Sequence, residues 1–397
     1  MRVIEICEPL REGVGRHVTD VTLGLSRRGH DVHVLYSPFR VDPALVKLLT
    51  GVPGVTVAQL PMRREPHWTD LSALLGLLGY LGRHGPVDVI HAHSSKAGAI
   101  ARLAGLLGTA GIVYSPHAFV TMTESGIPAH RLLAYGWIER ALGLLTNRIV
   151  CTATAEFQHA RERLGLDESR LVVLHNGIDP TTFRSESDLR RECGLAADTP
   201  MIGFVGRLEP QKGADIAIRA LPSILAASPK TVLAIIGEGR DRAWLESLAA
   251  SCQVTNAILW LGARPAREYF HNFDVLVCPS RFDGGAYTVI EGLYCGLPVI
   301  CTPVGSATEV IVHGDNGFIV PPEDPAALAA QTIELLRNAD LRERVGAAAG
   351  SLGEYFLLDR MLDELEEIYF GRLSGWRPLV VGSHNDGNRM IRENAAP

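Results

Sequence analysis

The segment Ser280-Arg281-Phe282-Asp283-Gly284-Gly285-Ala286-Tyr287-Thr288-Val289-Ile290-Glu291 sets two carboxylates eight positions apart, across a glycine pair and the start of a helical pattern. An ionised carboxylate only accepts hydrogen bonds. Asp283 in the loop and Glu291 on the helix therefore suit a ligand rich in hydroxyls, Glu291 taking those of a ribose and Asp283 those of a sugar. The helix start offers the amides of Gly285, Ala286 and Tyr287 to phosphate oxygens. A helix-end carboxylate plus a buried, paired glutamate would use the same residues, but the glycine pair favours a ligand. Upstream, Gly206-Arg207-Leu208 follows a strand pattern and leads to Lys212-Gly213. Two cations beside glycines at a strand's carboxyl end suit a diphosphate, and an ordinary solvated loop is the alternative. No Walker sequence and no Asp-x-Asp occurs. Phosphate charge would then be met by side chains and a helix dipole, without a carboxylate-held metal.

The first half has fewer such groups. Gly13-Val14-Gly15 follows the first strand pattern, but Val18 stands where a dinucleotide fingerprint needs glycine. A plain βα turn explains the pair equally well. His91 and His93 lie two apart at a strand end, half of a metal site, with no third ligand at a suitable spacing, so no metal site is expected. His117, after Pro116 at the end of an apolar strand, is the better site candidate. Arg63-Arg64 fits an anionic acceptor or membrane surface, or a solvated charged loop.

These residues need strands and helices to hold them. Short β-branched runs alternate with helical patterns from end to end, the signature of parallel α/β layers. Val3–Ile6, Val32–Tyr36, Val87–His91 and Ile112–Ser115 are strand patterns in the first half, and Met201–Val205, Val232–Ile236, Val275–Cys278 and Val299–Cys301 in the second. Two consecutive sets imply two doubly wound domains with ligands at the carboxyl ends of the strands. The polar stretch Asp179–Pro200 is the candidate linker, which puts one domain at 1–185 and the next at 186–354. A helix at 355–372 would pack back across both, and 373–397 is polar and expected to be disordered.

Composition narrows the partners. The 397 residues carry 38 Lys+Arg against 44 Asp+Glu, a net charge of −6, which argues against a nucleic-acid binder. The charge is uneven: residues 1–185 hold 19 basic and 16 acidic side chains, and 186–397 hold 19 and 28. Seven cysteines form no CxxC pair, which suits thiols in a reducing compartment. With no secretory or membrane-spanning pattern, a cytoplasmic protein is expected, with peripheral contact to the inner face of the cell membrane through its first half as a further expectation.

The second half resembles the retaining glycosyltransferases of family 4 (GT4). Their phosphate segment is matched by Gly206-Arg207-Leu208-Glu209-Pro210-Gln211-Lys212-Gly213, and their acidic-x7-Glu donor motif by Asp283 to Glu291. Gly296-Leu297-Pro298-Val299-Ile300 and Glu309 to Gly317 continue the likeness. In the first half, His91-Ala92-His93-Ser94-Ser95-Lys96, Ser115-Pro116-His117 and Asn176-Gly177-Ile178-Asp179 resemble the same family, so the likeness spans about residues 1–372. It implies a GT-B fold, two Rossmann-like doubly wound parallel-sheet domains facing an interdomain cleft. It further implies that Arg207 and Lys212 neutralise a leaving nucleotide diphosphate, Glu291 binds the ribose and Asp283 a hydroxyl of the donor sugar. The backbone of Gly284, Gly285, Ala286 and Tyr287 would contact phosphates and sugar, and Gly262 to Arg264 would line the base. Gly15 would approach the diphosphate from the other domain, and His117 the donor sugar near its anomeric carbon. The family most often has Glu where this chain has Asp283, which is one methylene shorter.

The expected function is metal-independent, retaining transfer from a UDP- or GDP-linked sugar to a saccharide or lipid-linked saccharide of a surface polysaccharide, with no cofactor. A non-catalytic nucleotide-sugar-binding subunit of the same fold, motivated by Asp283, and a nucleotide-sugar epimerase are the alternatives.

Overall fold

Two all-parallel sheets, of seven and six strands, organise the chain. The computed structural model describes every residue except 109, 123–126, 184–186, 372–378, 382–390 and 394–397, with backbone alone at 379–381 and 391–393. The first sheet contains β1 (Arg2–Cys7), β2 (Asp31–Tyr36), β3 (Val55–Gln59), β4 (Val89–His93), β5 (Gly111–Ser115), β6 (Arg148–Cys151) and β7 (Leu171–Val173), in the order β3-β2-β1-β4-β5-β6-β7. The second contains β8 (Met201–Val205), β9 (Val232–Ile236), β10 (Ile258–Gly262), β11 (Val275–Cys278), β12 (Val299–Cys301) and β13 (Phe318–Ile319), in the order β10-β9-β8-β11-β12-β13. Helices cover both faces of such a sheet, so its strands are near-continuous apolar runs. Both orders reverse at one point, between β1 and β4 and between β8 and β11. Loops leaving the carboxyl ends diverge there and open a crevice, the place where doubly wound sheets bind ligands.

The chain divides into two units. The first is Met1–Gly177 together with the helix Leu358–Tyr369, and the second runs from Ile178 to Leu357. The expected boundary at 185 is therefore eight residues late. Charge composition changes there, but packing changes at Ile178, which bridges to Leu357 and whose N–H donates to the Phe356 carbonyl at 2.8 Å. The helix expected at 355–372 is shorter and sits wholly with the first unit, because Glu354–Phe356 forms a separate turn before it. Most of the tail expected to be disordered, 373–397, lies outside the described residues. Within it, Leu379–Val381 and Ile391–Glu393 pair as a short antiparallel ladder instead.

The returning helix is amphipathic. Leu358, Met361, Leu362, Leu365, Ile368 and Tyr369 are buried and pack with Val3, Val32, Val89 and Val113 of the sheet. The helix Glu12–Arg27 approaches it closely at Gly24, where a Cβ would stand 2.3 Å from Leu362 Cδ1. Arg28 binds Glu366 at 2.7 Å, and His30 binds the other oxygen of the same carboxylate at 2.6 Å. Leu362 is fully buried. Leu362→Ala is expected to lower the unfolding free energy by about 3 kcal/mol, the cost of truncating a core leucine, read from urea unfolding of the full chain.

Candidate functional site

In the second unit the two carboxylates and the two cations converge where the strand order reverses. Gly206 follows β8, and the chain turns through Pro210–Lys212 into Gly213 and the helix Ala214–Ala227. Gly213 has φ +71°, and a Cβ there would lie 2.0 Å from the Pro279 carbonyl oxygen. Only glycine lets this turn abut the loop leaving β11. Two hydrogen bonds fasten the loops: Arg281 N donates to the Gln211 carbonyl at 2.8 Å, and Gln211 Nε2 donates to the Phe282 carbonyl at 3.1 Å. Lys212 Nζ then meets Asp283 Oδ2 at 2.6 Å. A small cavity here is lined by Lys212, Ser280, Asp283, Ala286 and Thr288.

Arg207 stands beside this pair. Its guanidinium reaches Glu209 Oε2 at 2.7 Å and Gln211 Oε1 at 2.9 Å. Both expected phosphate-binding cations are thus held by neighbouring carboxylates. Gly284 and Gly285 lead to Ala286, which caps the helix Tyr287–Tyr294 in the left-handed region, φ +41°. That conformation costs a non-glycine residue on the order of 1–3 kcal/mol and collects at functional sites. The loop therefore ends on the positive pole of a helix dipole.

Glu291 lies on that helix and is buried. Its Oε1 accepts from Arg267 Nε at 3.1 Å, and Arg267 also reaches Thr182 Oγ1 at 2.5 Å. Sequence reasoning missed Arg267. A buried carboxylate requires a cationic or hydrogen-bonding partner, yet nothing in the spacing says which arginine supplies it. Gly262 ends β10 with φ +70°, and its carbonyl accepts from Gly237 N at 2.8 Å. Arg264 is directed to the Leu261 carbonyl, Glu192 and Tyr269. Glu238, beyond the end of β9, comes within 3.5 Å of Ala263 N and is a second carboxylate that the sequence did not single out.

The first unit places an ionisable cluster at its own reversal point. Glu5 is paired in register with His91, and Cys7 with His93, while His93 pairs with Ser115 of β5. Side chains two apart on a strand share a face, so Glu5, His91, His93 and Ser115 project to the face covered by Tyr369 of the returning helix. His93 Nε2 meets Glu5 Oε2 at 2.6 Å, and Tyr369 Oη donates to Glu5 Oε1 at 3.0 Å. His91 bridges Tyr369 Oη at 2.7 Å and Ser115 Oγ at 2.8 Å. His117 Nε2 meets His93 Nδ1 at 2.9 Å. His17 sets its ring edge-on to both His93 and His117. Burial holds the His91 and His117 imidazoles well below their usual range, helped by the neighbouring histidines. Burial likewise pushes His17 down to about 3.

Backbone strain marks the same strand ends. Among the described residues, Glu12, Ser94, His117 and Ala118 take positive φ just beyond β1, β4 and β5. Glu156 holds the His117 turn: one oxygen accepts from Ala118 N at 2.5 Å and the other from Thr152 N at 2.7 Å. Gly15 has a packing role, since its N–H donates to the Arg11 carbonyl and a Cβ would lie 2.6 Å from the Leu10 carbonyl carbon.

The expectation that His91 and His93 lack further ligands is corrected by the fold. His17, His93 and His117 bring ring nitrogens within 4.8 Å of one another, as do Glu5, His91 and His93 their ligand atoms. Partners from separate strand ends are invisible to linear spacing. These groups could ligate a metal. However, both nitrogens of His91 and of His93 already have hydrogen-bond partners, and hydrogen bonding alone accounts for their arrangement.

Residues 11–182 match the family model described as Glycosyltransferase Family 4, and residues 185–351 match that of Glycosyl transferases group 1. The chain is 26% identical over 394 residues to the D-inositol 3-phosphate glycosyltransferase of Thermomonospora curvata, covering 90% of each chain. It is 27% identical over 401 residues to the glycogen synthase of Mycobacterium tuberculosis, covering 92% of each. In structure it is similar to Anabaena Alr3699/HepE in complex with UDP-glucose, with a TM-score of 0.77 at 20% identity, covering 93% of this chain and 99% of the other. The two parallel-sheet units are those of the GT-B fold.

Arg267 and Glu291 form a largely buried pair whose separation leaves an uncompensated charge. Arg267→Met is expected to cost about 3 kcal/mol of stability. In a double-mutant cycle by chemical unfolding, adding Glu291→Gln should restore most of that loss.

Proposed function

Because the chain belongs, half by half, to Glycosyltransferase Family 4 and the group 1 glycosyl transferases, it is a glycosyltransferase by family, and we propose the reaction as follows. The protein moves a sugar from a UDP- or GDP-sugar to a saccharide or lipid-linked saccharide, with retention at the anomeric carbon and without a metal. The observation that carries this reading is the joining of Lys212 and Asp283 at 2.6 Å, beside Arg207 and the amino end of the Tyr287–Tyr294 helix. Cations and a helix dipole answer the diphosphate, and an adjacent carboxylate answers sugar hydroxyls. The Anabaena relative bound to UDP-glucose favours a uridine donor.

In this mechanism the diphosphate binds to the second unit and draws Lys212 and Arg207 from Asp283 and Glu209. Asp283 is then released to accept from a sugar hydroxyl, and Glu291, oriented by Arg267, accepts from the ribose. Gly284 to Tyr287 supply backbone contacts. Glycosidic bond cleavage leaves charge on the diphosphate, which the two cations stabilise as it develops. The acceptor hydroxyl attacks on the face the diphosphate leaves, and its proton passes to a departing phosphate oxygen. In the first unit, His117 presents a ring nitrogen to a sugar.

Asp283 also supports a second reading, a nucleotide-sugar-binding subunit without turnover, since its shorter side chain is spent on Lys212. Incubation with a panel of UDP- and GDP-sugars, read by mass spectrometry, separates the readings. Transfer or slow donor hydrolysis is expected. Binding without turnover would favour the subunit, and isomerised donor without acceptor an epimerase. Lys212→Ala should lower transfer on the order of 10²–10³-fold; a loss within about threefold would overturn its assignment.

We also propose peripheral contact with an anionic membrane through the first unit. Trp68, Leu71 and Leu75 are 79%, 64% and 60% exposed on one side of the helix Thr69–His84, just after Arg63 and Arg64. Apolar side chains beside cations suit a headgroup boundary. No helix among the described residues is long and apolar enough to cross a membrane. The protein should co-sediment with anionic vesicles at low salt and less at moderate salt. No binding at low salt would remove this contact.

A further inference from the structure

We propose that Glu5 is a positioning residue that determines, through His93, which nitrogen of His117 is left bare, and so makes His117 a hydrogen-bond acceptor for a sugar hydroxyl. The sugar rests on the glycosyltransferase reading; the proton arrangement does not.

The directions of the buried hydrogen bonds follow from one group that cannot donate. A carboxylate has only lone pairs to offer. The 2.6 Å contact from Glu5 Oε2 therefore requires a proton on His93 Nε2, and the 3.0 Å contact to Oε1 uses the single hydroxyl proton of Tyr369. Tyr369 Oη can then only accept from His91, so His91 carries its proton on Nδ1 and takes the Ser115 hydroxyl proton on Nε2. Burial favours one proton per ring. With its proton on Nε2, His93 offers a lone pair at Nδ1, and that lone pair must receive the Nε2 proton of His117. His117 is left with a bare Nδ1, which has no hydrogen-bond partner among the described residues.

The surroundings preserve this order. The rings packed against His117 are His93 and His17, the latter held neutral by burial, and the next amide, that of Ala118, is fixed to Glu156. Glu5 itself is fully buried on a strand, so its influence passes through His93. The strained left-handed backbone of His117 and Ala118 is what turns the half-buried ring out of the sheet. A ring nitrogen with a lone pair at such a place takes a hydroxyl and rejects a carbonyl oxygen.

The test uses the full chain with histidine rings labelled with ¹⁵N, read by long-range proton–nitrogen NMR at neutral pH and assigned with His117→Gln. The parent should show His117 protonated on Nε2 and bare on Nδ1. A proton on Nδ1 of His117, or two protons on His93, overturns the inference. Glu5→Gln keeps the shape but substitutes a group that both donates and accepts. It should divide the His117 proton between the two nitrogens and slow transfer by about tenfold or more, while UDP affinity stays within about twofold. Tyr369→Phe is the control, because it removes a donor to Oε1 and leaves the His93 Nε2–H donating to Oε2. It should retain the parent tautomer of His117. Equal disturbance by both substitutions would reduce Glu5 to a packing role and overturn the inference. Absence of transfer with the tautomer pattern intact would count against the glycosyltransferase reading alone.

Discussion

A carboxyl group shut off from water in the middle of a parallel sheet is the constraint around which the first unit is organised. Glu5 sits in β1 among Val3, Ile4, Ile6 and Cys7. Burial of such a group is tolerated only when its lone pairs are filled. The donors come from β4 and from a helix more than three hundred residues later in the chain. Strand register, the orientation of His91 and His93, and the docking of Tyr369 all follow from that requirement. The second unit solves the opposite problem. Its cations stand near the surface in pairs that open water and a ligand can both enter, so its arrangement is exchangeable where that of Glu5 is fixed.

Much of this was legible in the sequence because it is local. The β-branched runs, the Gly206–Gly213 segment and the stretch from Asp283 to Glu291 each lie within one βα unit, and the structure brings the latter two segments together at 2.6 Å. What could not be read was contact made by register. Glu5, His91, His93, Ser115, His117 and Tyr369 have no spacing in common; their proximity exists only once β1, β4 and β5 are neighbours and the helix Leu358–Tyr369 has returned. Arg267 escaped for the same reason, being placed beside Glu291 by a short turn that propensity does not mark. The polar stretch Asp179–Pro200 drew the boundary to 185, whereas the packing already changes at Ile178, just before that stretch begins.

The acidity of the second half is less paradoxical in the fold. Its excess carboxylates include Glu209, Asp215, Asp283 and Glu323, and these hold Arg207, Arg281 and Lys212 in place near the strand ends. Paired cations keep their geometry before an anion arrives, which reduces the ordering left for binding. Net charge thus describes the unit's surface and says little about its crevice.

The return of Leu358–Tyr369 to the first unit also has a consequence for synthesis. A chain leaving the ribosome presents β1 to β7 first, but the apolar face formed by Val3, Val32, Val89 and Val113 has no cover until residue 369 has emerged. Throughout that interval the second unit is free to fold on its own contacts, whereas the first holds an uncapped carboxylate and an open sheet face. Synthesis of Leu358–Tyr369 is therefore the step that completes the first domain, and an arrest of translation anywhere between residues 177 and 358 leaves that domain exposed to aggregation.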